Sequence, residues 1–259
     1  MNIREDGLES YWSRRARTYG KRYGLDTPVT RAKIERKVQM MAEYAGGLGN
    51  KDVLEIGCGT GLFTDVLVNY ATRLIATDIS GDMLGVAKAS PWRPYEVFDE
   101  DAFLGKRPIS TLAFRQMDAR NLSFKDESQD VVVAANLFQH TDTPDCIEEV
   151  YRVLRPGGAL VAVVPNILNP LHYCRARVKW ARWLLHEDSE SVDLDRWHWH
   201  GILEGPGAFK DVVVTPIEFT SPYTPKWAFP ILDKCGRMLE RLPGVREFAG
   251  SLFIGARKC

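Results

Sequence analysis

The stretch Val53-Leu54-Glu55-Ile56-Gly57-Cys58-Gly59-Thr60-Gly61 decides the fold class of this 259-residue chain. An apolar run leads directly into three glycines at alternate positions, and Leu62-Phe63 then begin a helical pattern. Because glycine has no Cβ atom, such a loop turns tightly and lets a ligand approach the backbone closely. In open α/β sheets, ligands bind beyond the carboxyl ends of the strands, which is where this loop is expected.

Strand-like and helical segments alternate around this loop. Short apolar runs separated by helices are typical of parallel strands that are buried on both faces. The pattern therefore predicts an α/β fold with helices on either side of an open sheet. Helices are expected at 8–23, 28–45, 61–70, 81–89, 143–154 and near 226–242, and strands at 52–56, 74–77, 112–116, 130–135, 159–164, 212–219 and 251–256. We expect residues 1–45 to form an N-terminal helical lid on a core of residues 46–259, with a cap insertion at about 165–210.

Composition excludes several classes of protein. Thirty-four Lys and Arg balance thirty-four Asp and Glu, which argues against a general binder of polyanions. The chain is 45% hydrophobic and 26% charged, so it can bury a sizeable core. No apolar run approaches the roughly 18 residues of a membrane span, and the first residues form no apolar signal stretch. The five cysteines are scattered without a C-x-x-C pair, so a cytoplasmic protein without a disulfide scaffold is expected.

Three acids stand at the ends of successive predicted strands: Glu55, Asp78 and Asp118. Each alone is compatible with a solvated strand end, but together they indicate a ligand site. Asp78 can accept two hydrogen bonds from ribose hydroxyls, and Asp118 can accept one from an adenine amino group. A dinucleotide fingerprint would place glycine at position 62, where Leu62 stands, and Glu55 is poorly placed beside a pyrophosphate.

Five ordered motifs resemble those of class I S-adenosylmethionine-dependent methyltransferases. They are the glycine loop at 53–61, the second-strand motif at 78–84, the acidic motif at Asp118-Ala119 with Leu122 and Phe124, the fourth strand at 130–133 and the segment 154–158. The resemblance covers about residues 51–165. It implies a doubly wound, seven-stranded, mostly parallel sheet of the Rossmann-like methyltransferase fold, with a reversed last strand. It also implies that S-adenosylmethionine is the cofactor.

The resemblance further implies which residues bind that cofactor. It places Glu55 and Gly57 by the methionine moiety and Asp78 on the ribose. It places Asp118 and Ala119 on the adenine. The remaining predicted cofactor-binding residues are Ile79 and Met83 on the adenine ring, Tyr19 closing over the cofactor, and Cys58, Gly59, Thr60, Gly61, Asn136 and Leu137.

The turn after the predicted fourth strand supplies the candidate catalytic group, His140. A sulfonium methyl is already a strong electrophile, so a base is needed only when the acceptor must lose a proton. A histidine can serve as that base near neutral pH, or it can shape the pocket through a hydrogen bond; the sequence leaves both interpretations open.

The turn at 136–140 lacks the proline pair of methyltransferases that act on base amines, which disfavours nucleic acid as the acceptor. A small-molecule or lipid-linked acceptor is therefore predicted. The alternatives are a nucleic-acid or protein methyltransferase, a nicotinamide-dependent oxidoreductase and a non-catalytic cofactor-binding subunit.

The cap segment carries two further features. Residues 170–186 predict a basic amphipathic helix that either contacts an anionic membrane peripherally, grips an acidic substrate or packs on the core. The run 197–200 alternates tryptophan and histidine, and on a strand its two histidines would share one face. We expect Trp197, His198 and His200 to line the acceptor pocket, with cap packing as the alternative. A metal site with Asp195 or Glu204 lacks a third ligand at a diagnostic spacing, so none is predicted. The sequence leaves the oligomeric state open.

Overall fold

A computed structural model describes residues 7–22, 27–89, 111–170, 173, 194–205, 209–221 and 224–259. The helices are α1 (Leu8–Arg22), α2 (Pro28–Ala45), α3 (Leu62–Leu67), α4 (Gly81–Lys88), α5 (Thr143–Val153), α6 (Arg196–Leu203) and α7 (Phe229–Leu239), with short 3-10 turns at Phe138–His140 and Val245–Phe248. The strands are β1 (Asp52–Ile56), β2 (Arg73–Asp78), β3 (Thr111–Gln116), β4 (Gln129–Ala135), β5 (Leu154–Pro165), β6 (Lys210–Ile217) and β7 (Ser251–Arg257).

The seven strands form one sheet in the order β3-β2-β1-β4-β5-β7-β6. The strands β1 to β5 pair in parallel, and β7 runs antiparallel to both of its neighbours. The predicted fold class is confirmed, including the reversed last strand. The direction of the strand order changes between β1 and β4, so their carboxyl ends flank the crevice where open sheets bind ligands.

Alternate residues of the central strands are buried on opposite faces of this sheet. One face presents Leu54 and Val132 to α5, while the other presents Val53 and Val131 to α2. This two-sided burial is why the strands appear in the sequence as continuous apolar runs. Helix α2 ends at Gly46, whose φ of +71° allows the chain to reverse into β1.

The run 197–200 is helical, so its two histidines do not share one face as they would on a strand. Asp195 caps α6 by accepting hydrogen bonds from the backbone N–H groups of Trp197 and His198, each at 3.0 Å. This cap starts a helix in which residues two positions apart point about 200° away from each other. Most of the cap insertion, including the predicted basic helix 170–186 apart from Pro170 and Tyr173, lies outside the described residues.

Helix α1 lies across the carboxyl edge of the sheet. The Ser13 hydroxyl is 2.9 Å from the Ser80 hydroxyl, and the Gln116 side-chain amide donates to Glu9 at 2.9 Å. These contacts tie α1 to the loop after β2 and to the end of β3. A lid formed by residues 1–45 stays a prediction. Within the described ranges, no helix is both long and apolar enough to span a membrane.

Candidate cofactor site

The glycine loop joins β1 to α3 through three left-handed residues: Gly57, Gly59 and Gly61 have φ angles of +66°, +53° and +82°. A Cβ atom at Gly57 would lie 2.7 Å from Leu137 Cδ1, whereas one at Gly59 would meet nothing within 4 Å. The loop is therefore packed against the turn after β4 at one end and has open space in front of its centre. That space fits a ligand that approaches the backbone closely.

We predict that Gly57→Ala lowers the free energy of unfolding by about 2–3 kcal/mol, because a left-handed alanine and the clash with Leu137 both cost energy. Urea unfolding measures this change. Gly47→Ala is the matched control, since Gly47 is also left-handed at +87° but its Cβ position is open. Equal losses in the two variants would contradict a specific contact between Gly57 and Leu137.

Asp78 fastens the glycine loop to the end of β2. Its buried carboxylate accepts hydrogen bonds from the backbone N–H of Gly59 at 2.8 Å and of Ser80 at 2.9 Å. Burial raises the pKa of Asp78, and these two N–H donors oppose the rise without cancelling it. A carboxylate offers about four acceptor positions, so both oxygens retain capacity for ribose hydroxyls. The glycine loop and this carboxylate together fit an adenosyl group.

The other two predicted acids, Glu55 and Asp118, both form hydrogen bonds with side chains of the protein. Glu55 is buried and accepts a hydrogen bond from the Thr64 hydroxyl at 2.6 Å, which holds the first turn of α3 against β1. Asp118 is paired with Arg120, whose Nη2 lies 2.7 Å from Oδ2 and whose Nε lies 3.1 Å from Oδ1. Burial would raise the pKa of Asp118, but its hydrogen bonds with Arg120 hold the pKa below its usual value. Sequence reasoning missed Arg120, although a cation two residues after the acid was visible.

The residues predicted to contact adenine differ in their accessibility. Ile79 is half-buried beside Asp78, and its carbonyl accepts a hydrogen bond from Gln116 at 3.0 Å. Met83 is fully buried, and its backbone N–H is capped by Ser80 at 3.2 Å. Ala119 is partly buried against the core. Their contact with the adenine ring stays a prediction.

The turn after β4 approaches the glycine loop from the other side of the crevice. Asn136 adopts a left-handed φ of +53°, and its N–H donates to the Val163 carbonyl at 2.8 Å. Its own carbonyl accepts from the Gln139 side-chain amide at 3.0 Å. These bonds fix the turn so that Leu137 lies against Gly57.

His140 ends this turn and packs against α1. Its ring centroid is 4.9 Å from that of Trp12, which in turn lies 5.9 Å from Tyr19. Burial, followed by the positive charge of Arg15, lowers the pKa of His140 to about 4. The imidazole is therefore neutral at physiological pH. The sequence did not single out Trp12, although it stands two helical turns before Tyr19 on the same face of α1.

Five buried side-chain polar atoms have no hydrogen-bond partner within the described part of the chain: Tyr11 Oη, Gln139 Oε1, Arg196 Nε, Trp199 Nε1 and Glu247 Oε2. Tyr11 contacts Trp12 at 5.1 Å between centroids, and Trp199 packs on Phe138 at 5.4 Å. A buried polar atom without a partner is costly, so such atoms indicate a place where another molecule supplies the partner. Gln139 lies in the turn that carries His140, and Trp199 packs on this turn through Phe138.

The predicted acceptor residues of α6 do not converge on this turn. Trp197 and His198 are exposed, and His198 Nδ1 lies 2.8 Å from Asp195. His200 Nδ1 lies 2.9 Å from Glu204, so each histidine is paired with an acid of its own segment. Trp199, which the sequence analysis did not choose, is the member of the run that packs beside Phe138. Among the residues that the structure describes, no three His, Cys, Asp or Glu side chains could hold a metal ion together.

Comparison with known proteins agrees with this geometry. Residues 54–162 match the family described as a methyltransferase domain. The chain is 38% identical over 112 residues to a phosphatidylethanolamine N-methyltransferase of Cereibacter sphaeroides, covering 43% of this chain and 49% of that protein. It is 34% identical over 125 residues to a ubiquinone/menaquinone biosynthesis C-methyltransferase of Pseudomonas fluorescens, covering 47% and 44% respectively. The chain thus spans about half the length of the curated relatives it matches.

Solved structures share the fold across nearly the whole chain. An S-adenosylmethionine-dependent methyltransferase of Thermotoga maritima, described as a possible histamine N-methyltransferase, superposes with a TM-score of 0.60 at 16% identity and covers 97% of this chain and 100% of its own. A phosphoethanolamine N-methyltransferase of Haemonchus contortus, solved with phosphomonomethylethanolamine and S-adenosylhomocysteine, gives 0.61 at 16% identity, covering 96% of this chain and 58% of that chain. Residues 54–162 thus match a methyltransferase domain, and the chain has the fold of S-adenosylmethionine-dependent methyltransferases and is similar to them in sequence.

Proposed function

We propose that this chain transfers the methyl group of S-adenosylmethionine in line from the sulfonium to a small-molecule or lipid-linked acceptor. The observation that carries the proposal is the pairing of Asp78 with the glycine loop at the point where the strand order reverses. Two of the relatives above act, by their names, on phosphatidylethanolamine and in ubiquinone biosynthesis, which supports a lipid or lipid-linked acceptor.

The bound cofactor supplies a methyl group on a positively charged sulfur, which is electrophilic without further activation. The remaining tasks of this chain are to orient the two reactants and to exclude water. Asp78 holds the ribose hydroxyls, and the glycine loop lets the backbone approach the ligand. Helix α1 brings Trp12 over His140 at the same edge of the sheet. The aromatic side chains of α1 thus cover the edge from solvent.

His140 acts as a hydrogen-bond acceptor that orients the nucleophile. With a pKa of about 4, the neutral ring of His140 is a weak base. It therefore does not deprotonate the acceptor to a significant extent before attack. It can still accept a hydrogen bond from an acceptor O–H or N–H. Gln139, the residue before His140, has an unpartnered side-chain oxygen that would bind another part of the acceptor.

The low pKa of His140 predicts an acid-sensitive fold. An unfolded histidine takes up a proton near pH 6.5 and the folded His140 only near 4, so stability falls as pH drops through this window. Between pH 7 and pH 5 we expect the wild type to lose up to about 2 kcal/mol more unfolding free energy than His140→Gln. Urea unfolding at both pH values measures the difference. His198→Gln, which alters an exposed histidine, should behave like the wild type; equal losses in all three proteins would contradict burial of a neutral His140.

Methyl transfer is tested with S-adenosylmethionine carrying a tritiated methyl group. The purified chain is incubated with phosphatidylethanolamine vesicles, phosphoethanolamine and a hydroxylated quinone precursor, and labelled product and S-adenosylhomocysteine are quantified together. Stoichiometric formation of both, lost in Asp78→Asn, supports the proposal. Cofactor binding without transfer to any of these acceptors, but with transfer to protein or RNA added in parallel, would overturn the choice of acceptor. Membrane contact through residues 170–186 and a cytoplasmic location stay predictions.

A further inference from the structure

Helix α7 turns its apolar side away from the protein. Ile231 and Met238 are 66% and 61% exposed, and Gly236 is the only residue of this helix that is buried. At about 100° per residue, the exposed apolar side chains within α7 occupy a sector of about 120°. Exposed apolar residues of this helix and of its flanking turns form one set, which we call the outward apolar face. They are Trp227, Ile231, Leu232, Met238, Leu239, Leu242, Val245 and Phe248.

The inner side of α7 is held by polar groups. A Cβ atom at Gly236 would lie 3.3 Å from Phe219 Cβ, so the helix backbone approaches the protein closely there. Glu240 accepts from Arg36 at 2.9 Å and from the Glu218 backbone N–H at 2.7 Å. Asp233 is paired with Arg237. The close approach at Gly236 and the bonds of Glu240 therefore join the helix to the protein, whereas the Asp233–Arg237 pair lies within the helix.

Near the outward apolar face, the acids form ion pairs, whereas three of the basic residues form none within the described ranges. The acids Asp233 and Glu240 are engaged in the ion pairs just described. Lys226, Lys234 and Arg241 are exposed, and none of them forms an ion pair with another described residue. An exposed tryptophan accompanies them, since Trp227 is 82% exposed. Apolar side chains flanked by lysine and arginine, with an aromatic ring at the boundary, are the pattern of a helix that lies in the plane of an anionic membrane.

The strand order places α7 at the same edge of the sheet as the candidate cofactor site, toward the β7–β6 end. Strands β5 and β6 both run antiparallel to β7, so β5 and β6 run in the same direction. Helix α7 follows β6 and precedes β7, and therefore lies at the carboxyl edge of the sheet. The glycine loop and His140 lie at this edge as well. A surface that binds α7 would therefore lie on the same side of the protein as the glycine loop.

We propose that the outward apolar face of α7 docks on an anionic phospholipid surface. Contiguous exposed apolar patches of this kind mark interaction sites. A two-fold contact with a second copy would bring the same cations of both copies together, because such interfaces join identical patches. An anionic surface instead attracts each of these cations. The proposal does not rest on methyl transfer, since vesicle binding is measured without an acceptor.

The test is sedimentation of the full chain with vesicles of phosphatidylcholine alone and of phosphatidylcholine with phosphatidylglycerol at 3:1. Binding to the anionic vesicles that falls at least ten-fold in I231S/M238S, and also falls in K234E/R241E, supports the proposal. The matched control is Tyr70→Asp, because Tyr70 is an exposed aromatic residue just before β2, at the opposite edge of the sheet. Vesicle binding by Tyr70→Asp should equal that of the wild type. S-adenosylmethionine binding by calorimetry verifies that each variant is folded.

Three outcomes would overturn the proposal. The first is equal sedimentation of the wild type and I231S/M238S. The second is a concentration-dependent dimer in light scattering that I231S/M238S dissociates, because the face would then bind a second copy. The third is no binding of the folded wild type to either vesicle, since the face would then be covered by another part of this chain or by a different partner.

Discussion

Asp78→Asn is expected to weaken S-adenosylmethionine binding about 100-fold or more while the chain stays folded. The carboxylate accepts hydrogen bonds from Gly59 and Ser80 and is predicted to accept others from the ribose. An asparagine amide turns an NH2 group toward one of these donors and removes the negative charge. Two lost hydrogen bonds to a charged group, at about 1.5 kcal/mol or more each, correspond to this loss of affinity.

Isothermal titration calorimetry with S-adenosylmethionine and with S-adenosylhomocysteine measures the effect of Asp78→Asn. The matched control is Asp82→Asn, because Asp82 is an exposed acid in the first turn of α4. Its dissociation constants should stay within about two-fold of the wild type, as expected for a surface substitution. A change below about five-fold in Asp78→Asn would contradict the ribose role of Asp78.

Glu218→Gln is expected to lower the free energy of unfolding by about 3–5 kcal/mol, the cost of breaking a buried ion pair. Glu218 is well buried, and its oxygens lie 3.1 Å from Lys33 Nζ and 2.8 Å from Lys37 Nζ. Burial would raise the pKa of Glu218, but the charges of Lys37 and Lys33 hold it below the usual value. The glutamine variant removes the carboxylate that both ammonium groups contact, one of them on the buried Lys33.

Urea unfolding measures the Glu218→Gln effect, and Glu204→Gln serves as control because the Glu204 carboxylate is half exposed. That control should lose less than about 1 kcal/mol. Adding Lys33→Met to Glu218→Gln should restore part of the stability, because it removes the buried charge that lost its partner. A loss below about 1 kcal/mol in Glu218→Gln would show that water already reaches this cluster.

The fold was predictable because its strands are buried on both faces. Apolar runs such as 130–135 stand out from their polar surroundings, and the structure places a strand at Gln129–Ala135. The alternation of tryptophan and histidine at 197–200 has the two-residue period of a strand, so it does not by itself indicate the helix that forms there. The signal that decides the structure is Asp195, two residues before the run, which caps the helix.

The candidate site was predictable where its chemistry is local. Asp78 follows its strand directly, so its place beside the glycine loop could be expected from the sheet alone. The low pKa of His140 could not be expected from the sequence, because it depends on Trp12 and Arg15 in α1, which is distant from His140 along the chain. The outward orientation of α7 was equally hidden, since an amphipathic pattern does not say which side faces the core.

Strand β7 lies between β5 and β6, and β6 reaches the sheet only through it. The pairing of β5 with β7 joins residues as far apart in the chain as Ala159 and Arg257, whereas β1 pairs with β2 across a short connection. Contacts between distant parts of a chain form slowly, because the entropy of the long loop must be lost first. We therefore expect the pairing of β1 with β2 to form early and the pairing of β5 with β7 to form late during folding.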